Sequence, residues 1–327
     1  MNVLVFISWP VQAWCIPGRQ VEALRAAFPH VSFKYARDRD EALRLVGDAD
    51  VSFTPFLTAE MVAAAPNLRW VHSSAAAVEG LLPLKQLAAR GIAVTNSRGV
   101  QAIPIAEHVM GGLLVLARKY DRTLDAQREH RWIQNDLIHD WPWLLHGRTM
   151  TVVGLGTIGI EIARRAHAFG VRVTGVRRRT DEPRPDFVDR VVGPEQLGEA
   201  LEGCDVLVLS APGIASTHRM IGAEQLARLN PGAVVVNVAR GQVLDTNALL
   251  DGLSSGRLRG AVLDVFEQEP LDASSPLWSA PNVVVTPHSS GFRESHWDEM
   301  VALFSDNLRR YERGEPLRNV VDLDAGY

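Results

Sequence analysis

The stretch TMTVVGLGTIGIEIARRAHAF, residues 149–169, joins a β-branched apolar run to an amphipathic helical pattern through Gly154, Gly156 and Gly159. Between a strand and a helix these three glycines have separate physical tasks. Gly154 makes the tight turn, Gly156 lets a pyrophosphate approach the backbone, and Gly159 packs the helix against the strand. The helix start at Thr157 and Ile158 then offers unpaired N–H donors and the positive end of the helix dipole to phosphate. The spacing alone is a weak signal, since a glycine-rich turn can occur in any sheet. The strand before it and the helix after it turn it into a dinucleotide-binding expectation.

Outward from this motif the chain alternates strand and helix patterns. Upstream, strand patterns at 2–7, 31–36, 49–54, 69–73 and 92–95 are separated by helical patterns at 18–28, 38–46, 58–65 and 83–90. A long helical pattern over 101–131, with an expected break near Gly111–Gly112, leads into an irregular segment, 132–148, rich in tryptophan. Downstream, near-continuous apolar runs at 149–153, 171–176, 205–210, 233–238, 260–265 and 283–286 read as strands buried on both faces. A last helical pattern covers about 293–312, with Gly314 and Pro316 as stop signals. Alternation of this kind predicts an α/β fold with parallel sheets.

The strand after the motif discriminates between dinucleotides. An NAD site usually places an acidic residue about 20 residues on, to hold the ribose 2′-hydroxyl. Here strand 171–176 runs into Arg177-Arg178-Arg179-Thr180 before the first acid, Asp181. Guanidinium groups bind a 2′-phosphate through charge-assisted hydrogen bonds, and an acid would repel it. Arg177 and Arg178 are therefore the expected contacts and NADP(H) is favoured, with NAD(H) the alternative. A solvated basic loop is the plainer reading, because the chain holds 31 Arg against 3 Lys.

Composition narrows the classes. With 327 residues, 46% of them hydrophobic, the chain can bury two cores of ordinary domain size. A net charge of −4 argues against nucleic-acid binding. Cys15 and Cys204 form neither a disulfide framework nor a zinc pattern, and no HExxH motif occurs, so no metal is expected. The apolar run at 111–117 is well short of the roughly 18 residues of a membrane span. The first ten residues lack a basic n-region. The reading is a cytoplasmic protein without a membrane partner.

Three polar residues stand just beyond later strands, where open parallel sheets bind ligands. They are Arg240 in NVARG, Glu269 in FEQEP and His288 in TPHSS. Reducing a ketone by hydride requires a proton at the carbonyl oxygen, and histidine is the natural donor near neutrality. A carboxylate beside it favours its charged form. An arginine can grip both carboxylate and carbonyl oxygens of a keto acid. Each also has a plain alternative: a loop histidine, a structural ion-pair arginine, a surface glutamate before proline.

The chain resembles the D-isomer-specific 2-hydroxyacid dehydrogenases. The resemblance is carried by VTNSRG (94–99), IAEH (105–108), GLGTIG (154–159), VNVARG (236–241), LDVFEQEPL (263–271), TPHSSG (286–291) and the tail from Asn307 through Leu317. It implies a Rossmann dinucleotide-binding domain, 99–291, inserted into a flavodoxin-like substrate domain made of 1–98 and 292–327. It also implies that Arg240 binds substrate, that His288 is the general acid/base paired with Glu269, and that Asp264 contacts the nicotinamide carboxamide. The loop Ser74–Val78 would hold the substrate carboxylate through backbone N–H groups, at Ala76, Ala77 and Val78. Many members have glycine where Ala77 stands, and Ser210-Ala211-Pro212 matches a cofactor-contacting turn only loosely. The family is generally dimeric, so a homodimer is expected, with the long helix and the Trp141–Trp143 segment as interface. The arginine run is similar to that of NADPH-using glyoxylate and hydroxypyruvate reductases. The resulting expectation is reduction of a small 2-keto acid, glyoxylate-like or bulkier, to the (R)-2-hydroxy acid. The alternatives are NAD-dependent oxidation on the same fold and a non-catalytic dinucleotide-sensing scaffold.

Overall fold

The strands of the computed structural model, which describes residues 1–323, form two parallel sheets. Two compact units carry them: Met1–Val100 together with the residues from Arg293 onward, and Gln101–Phe292. Residues 324–327, placed in the substrate domain by the sequence reading, lie outside the described residues.

The first unit alternates β1 (Asn2–Val5), α1 (Gly18–Ala27), β2 (Ser32–Tyr35), α2 (Arg39–Leu45), β3 (Val51–Phe53), α3 (Ala59–Ala64), β4 (Trp70–Ser73), α4 (Leu84–Ala89) and β5 (Ala93–Asn96). The sheet order is β2-β1-β3-β4-β5, the doubly wound order of flavodoxin-like sheets. Polar caps start the short helices: the Asp38 carboxylate accepts from the Glu41 N–H at 2.8 Å, and Thr58 Oγ1 from the Met61 N–H at 3.2 Å. His72 of β4 is fully buried, bonded to Thr95 Oγ1 at 2.7 Å, and burial pushes its pKa down to about 3. It is a neutral, satisfied core histidine.

The second unit runs α5 (Ala102–Arg118), α6 (Tyr120–Arg128), β6 (Thr149–Val153), α7 (Thr157–Ala168), β7 (Arg172–Val176), β8 (Arg190–Val192), α8 (Leu197–Leu201), β9 (Val206–Leu209), α9 (Ala223–Arg228), β10 (Ala233–Asn237), α10 (Thr246–Ser254), β11 (Leu258–Leu263) and β12 (Val283–Val285). Its sheet order is β12-β11-β10-β9-β6-β7-β8, so the winding reverses between β6 and β9. Such a switch point opens a crevice at the carboxyl ends of the strands. The last helix, α11 (His296–Glu312), returns to the first unit. There Phe304 stacks on Phe53 and Trp70 with ring centroids 4.3 and 5.5 Å apart.

Two local expectations are corrected. Edge strand β8 escaped the sequence reading because it is only three residues long, beside the irregular 177–189 segment. The helix after Gln101 continues through Gly111 and Gly112 and breaks at Lys119, whose φ is 58°. Gly112 serves close packing: a Cβ there would stand 2.5 Å from Val262 Cγ1 of β11. Gly111 has nothing within 4 Å of its Cβ position.

The two neighbouring glycines therefore respond oppositely to substitution. Gly111→Ala gains helix propensity and raises stability by about 1 kcal/mol. Gly112→Val overpacks a buried contact and lowers it by about 1–3 kcal/mol. Urea unfolding of the two variants checks this, and a destabilised Gly111→Ala or a neutral Gly112→Val contradicts the packing argument.

Candidate active site

The glycine turn has the geometry its sequence predicts. Gly154 adopts φ 99°, and a Cβ there would stand 2.4 Å from the Ala211 nitrogen, so the 210–212 turn at the end of β9 lies directly against it. Ser210 Oγ donates to the Gly154 carbonyl at 2.9 Å, fixing the two turns together. A Cβ on Gly159 would meet the Gly154 carbonyl at 2.3 Å, which is the close packing of helix on strand. Beside Gly156 nothing lies within 4 Å, and this N-cap residue supplies no side-chain partner to the first turn of α7. An open approach over an uncapped helix start, at Thr157 and Ile158, fits the pyrophosphate of a dinucleotide.

The arginine run departs from expectation. Arg177, with its side chain 9% exposed, folds onto its own loop: Nη2 donates to the Glu182 and Pro183 carbonyls, and Nη1 stands 3.4 Å from Glu182 Oε2. Glu182 also pairs with Arg179 at 3.0 Å. The carboxylate five residues downstream thus takes up the guanidinium that the sequence assigned to a phosphate. Arg178 lies exposed just past the end of β7.

Arg240, Glu269 and His288 stand past the carboxyl ends of β10, β11 and β12. His288 Nδ1 lies 2.6 Å from Glu269 Oε2, and Glu269 Oε1 accepts from the Phe266 N–H at 3.0 Å. Burial works against the Glu269 carboxylate, but the bonds from His288 and Phe266 and the charges of His288 and Arg240 overcome it, holding its pKa below the usual value. Arg240 reaches solvent, yet surrounding protein desolvates the guanidinium enough to lower its pKa, and Glu269 opposes that. An arginine stays charged throughout. The turn carrying it is tied by Asn237, whose side chain accepts from the Ala239 N–H and donates to the Arg240 carbonyl. Gly241 seats this turn on the backbone of Phe266, where a Cβ would stand 1.9 Å from the carbonyl carbon.

Asp264, which the resemblance assigns to the nicotinamide carboxamide, is bonded within its own surroundings. It is 1% exposed: Oδ1 accepts from Thr286 Oγ1 at 2.6 Å and the Ser289 N–H at 2.9 Å, and Oδ2 from the Ser290 N–H at 3.0 Å. Its carbonyl also accepts from the His288 N–H at 2.9 Å. The carboxylate therefore organises the 286–290 turn instead of standing open to a nicotinamide. His288 sits in that turn with φ 51°, a left-handed conformation rare for non-glycine residues. His108 of α5 joins through Thr286, Nε2 to Oγ1 at 3.1 Å. Sequence reasoning passed over Asn237, Thr286 and His108, although all three lie inside the quoted VNVARG, TPHSSG and IAEH stretches.

In the first unit, the loop after β4 is shaped by buried side chains. Asn96 Nδ2 donates to the Ala76 carbonyl at 2.7 Å, Ser97 Oγ to the Ser73 carbonyl at 2.9 Å, and the Ala75 N–H to Ser73 Oγ at 3.1 Å. Among the described residues the N–H groups of Ala76, Ala77 and Val78 have no protein acceptor. No group of three or more His, Cys, Asp or Glu is placed to hold a metal among the described residues, and no helix there is long and apolar enough to cross a membrane.

Residues 110–290 match the family model described as "D-isomer specific 2-hydroxyacid dehydrogenase, NAD binding domain". A glyoxylate reductase of Korarchaeum cryptofilum is 36% identical over 85% of this chain and 83% of its own. A D-isomer specific 2-hydroxyacid dehydrogenase of Xanthobacter autotrophicus Py2, solved with NADPH and MES, is 32% identical, with a TM-score of 0.83 over 99% of each chain. An NADPH-dependent glyoxylate/hydroxypyruvate reductase of Sinorhizobium meliloti, solved with NADP and sulfate, is 26% identical, with a TM-score of 0.82 over the whole of both chains. The chain belongs to the D-isomer-specific 2-hydroxyacid dehydrogenase family, whose fold places a Rossmann nucleotide-binding domain within a flavodoxin-like one.

The low pKa of Glu269 has a pH consequence. Its folded value lies below the ordinary value of about 4.3, so between the two the unfolded chain binds the extra proton. The stability it contributes is present above that window and is lost as pH falls through it. The acid-side decline of the urea midpoint is expected to be shallower in Glu269→Gln than in the parent protein between pH 5 and 3. Parallel declines would show that Glu269 is not held ionised by His288 and Arg240.

Proposed function

We propose that the chain reduces a 2-oxo acid to the (R)-2-hydroxy acid, with NADPH favoured over NADH. The observation that carries this reading is the Arg240–Glu269–His288 set, with the imidazole held 2.6 Å from the carboxylate in a turn fixed by Asp264. Its relatives support it, among them the glyoxylate reductase and the NADPH-bound dehydrogenase already described.

The dinucleotide would rest on Gly154, Gly156 and Gly159, with its pyrophosphate at the Thr157 and Ile158 N–H groups and Ala211 and Pro212 beside it. When bound, it supplies hydride to the keto carbon. The substrate-binding candidates are, in the first unit, the N–H groups of Ala76, Ala77 and Val78 for a carboxylate and, in the second, the Arg240 guanidinium for carboxylate or carbonyl oxygens. Charge developing on the carbonyl oxygen is met by Arg240 and by the Nε2 proton of His288. As that proton transfers, Glu269 holds Nδ1–H and with it the tautomer and ring orientation. Asp264 acts at one remove, as the positioning residue of the His288 turn.

Preference for NADPH rests on Arg178, exposed past β7, and on the lack of an acid directly after that strand. Trp132 and Trp141 are 90% and 68% exposed, with Leu144 and Ile138 also exposed, and an ion pair from the buried Lys119 to Asp140 ties their segment to the α5–α6 turn. A second copy covering that apolar surface gives the homodimer.

Steady-state kinetics test the chemistry. His288→Ala is expected to lose about 10²–10⁴-fold in kcat. Arg178→Ala should lose about 10–100-fold in kcat/KM for NADPH and little for NADH. Failure to turn over any 2-oxo acid with either nucleotide would favour a nucleotide-sensing scaffold, and an NADH preference in the parent protein would remove the cofactor claim. For assembly, light scattering should give twice the chain mass, falling toward the monomer in Trp141→Lys. A monomeric parent protein would end the dimer proposal.

A further inference from the structure

An aromatic cluster stands at the carboxyl edge of the first unit's sheet, and the chemistry proposed above makes no use of it. Phe6 and Trp9 follow β1, and Phe56 follows β3. Ring centroids lie 5.0 Å apart for Phe6–Phe56, 6.0 Å for Trp9–Phe56 and 6.0 Å for Trp9–Trp14, all edge-to-face. Phe6 is buried, whereas Trp9, Trp14 and Phe56 are half-buried. The strands bearing them pair side by side, β1 on β3 and β3 on β4, and β4 ends in the Ser74–Val78 loop. At about 4.8 Å per strand, the aromatic wall is offset by roughly 5–10 Å from the N–H donors of that loop.

From this juxtaposition we infer that the substrate carries a bulky apolar group, aromatic by preference, on its keto carbon, and that Trp9, Trp14 and Phe56 receive it. The inference rests on the proposed role of Ala76, Ala77 and Val78 in holding the carboxylate. An aryl 2-oxo acid anchored there extends its ring along the sheet edge onto the wall. Glyoxylate has only hydrogen at that position and would leave three aromatic faces wet, an arrangement ordinary surfaces avoid. Charge points the same way. Residues 6–16 and 54–57 contain no Asp, Glu, Lys or Arg, so a phosphorylated or dicarboxylic substrate would find no cation there.

The wall is also held in place before anything binds. Trp297 Nε1 donates to the Ala13 carbonyl at 3.2 Å, and Tyr35 Oη to the Ile16 carbonyl at 3.1 Å. Cys15 Sγ stands 3.2 Å from both the nitrogen and the carbonyl oxygen of Trp9, and Thr54 Oγ1 donates to the Phe56 carbonyl at 2.8 Å. Backbone fixed in this way carries rings that lose less freedom on binding, which is what a specificity wall requires.

A substrate panel with NADPH tests the inference without any mutation. Phenylpyruvate is expected to exceed both glyoxylate and oxaloacetate in kcat/KM by about tenfold or more. In Trp9→Ala and Phe56→Ala the phenylpyruvate-to-glyoxylate ratio should collapse by about tenfold, chiefly through KM, and Trp9→Phe should restore most of it. Glyoxylate or oxaloacetate turned over as well as phenylpyruvate by the parent protein would overturn the inference while leaving the reductase reading intact. So would variants that lower both activities in proportion, since that marks a purely structural cluster. No turnover of any 2-oxo acid would remove the reductase reading itself, and this inference with it.

Discussion

One buried carboxylate fixes the geometry on which the chemistry depends. Asp264 ends a strand whose neighbours are apolar, and it survives there only because its two oxygens accept three hydrogen bonds from the turn that follows β12. Those bonds hold His288 in a left-handed backbone conformation that its side chain would otherwise resist. The orientation of the imidazole toward Glu269 follows from the turn, and the electrostatics of Glu269 follow from the imidazole and Arg240. Remove the acceptor and two backbone N–H groups would be orphaned in a dry site. The reacting set is in this sense a consequence of strand-end hydrogen bonding, with the ionisable groups added on top.

The same logic of committed partners separates side chains that can meet a ligand from those that cannot. Arg177 and Asp264 both carry the right charge for the roles expected of them, and both are occupied by their own loops. Arg178 lies exposed past β7, and the N–H groups of Ala76, Ala77 and Val78 have no protein acceptor among the described residues. Spacing identifies which residue types stand near a strand end. The hydrogen-bond partners show which of them, like Arg177 and Asp264, are committed to their own loops.

Much of the architecture was legible in the sequence. Alternating apolar runs mark all but one of the strands to within two residues at most ends, because buried parallel strands have little freedom to be polar. The glycine turn was legible in detail, since backbone approach and helix packing each admit only glycine. Short β8 was not, having three residues and no alternation to read. The helix break at Lys119 was missed because Gly111 and Gly112 looked like the natural hinge, whereas Gly112 answers to the neighbouring Val262 side chain across the unit. Within the site, His288, Glu269 and Arg240 were legible as residue types beyond strands. Thr286 and His108 were not, because their roles consist of bonds to residues far along the chain, and Asn237 was not, because its bonds tie the backbone of its own turn. The aromatic wall escaped for the same reason: Trp9 and Phe56 meet only through strand order.

The interrupted course of the first unit bears on how the polypeptide is made. Residues 101–292 form a continuous stretch and emerge from the ribosome as a complete folding unit. The preceding hundred residues do not, because Phe304 of the last helix is the ring that stacks on Phe53 and Trp70, and Val321 completes the backbone bond to Val94. Until α11 and Val321 are synthesised, five parallel strands wait with an uncovered aromatic face, the kind of surface that chaperones recognise and that nascent chains misassemble through. Early termination of synthesis would thus leave an intact nucleotide-binding half joined to an unfinished, adhesive one.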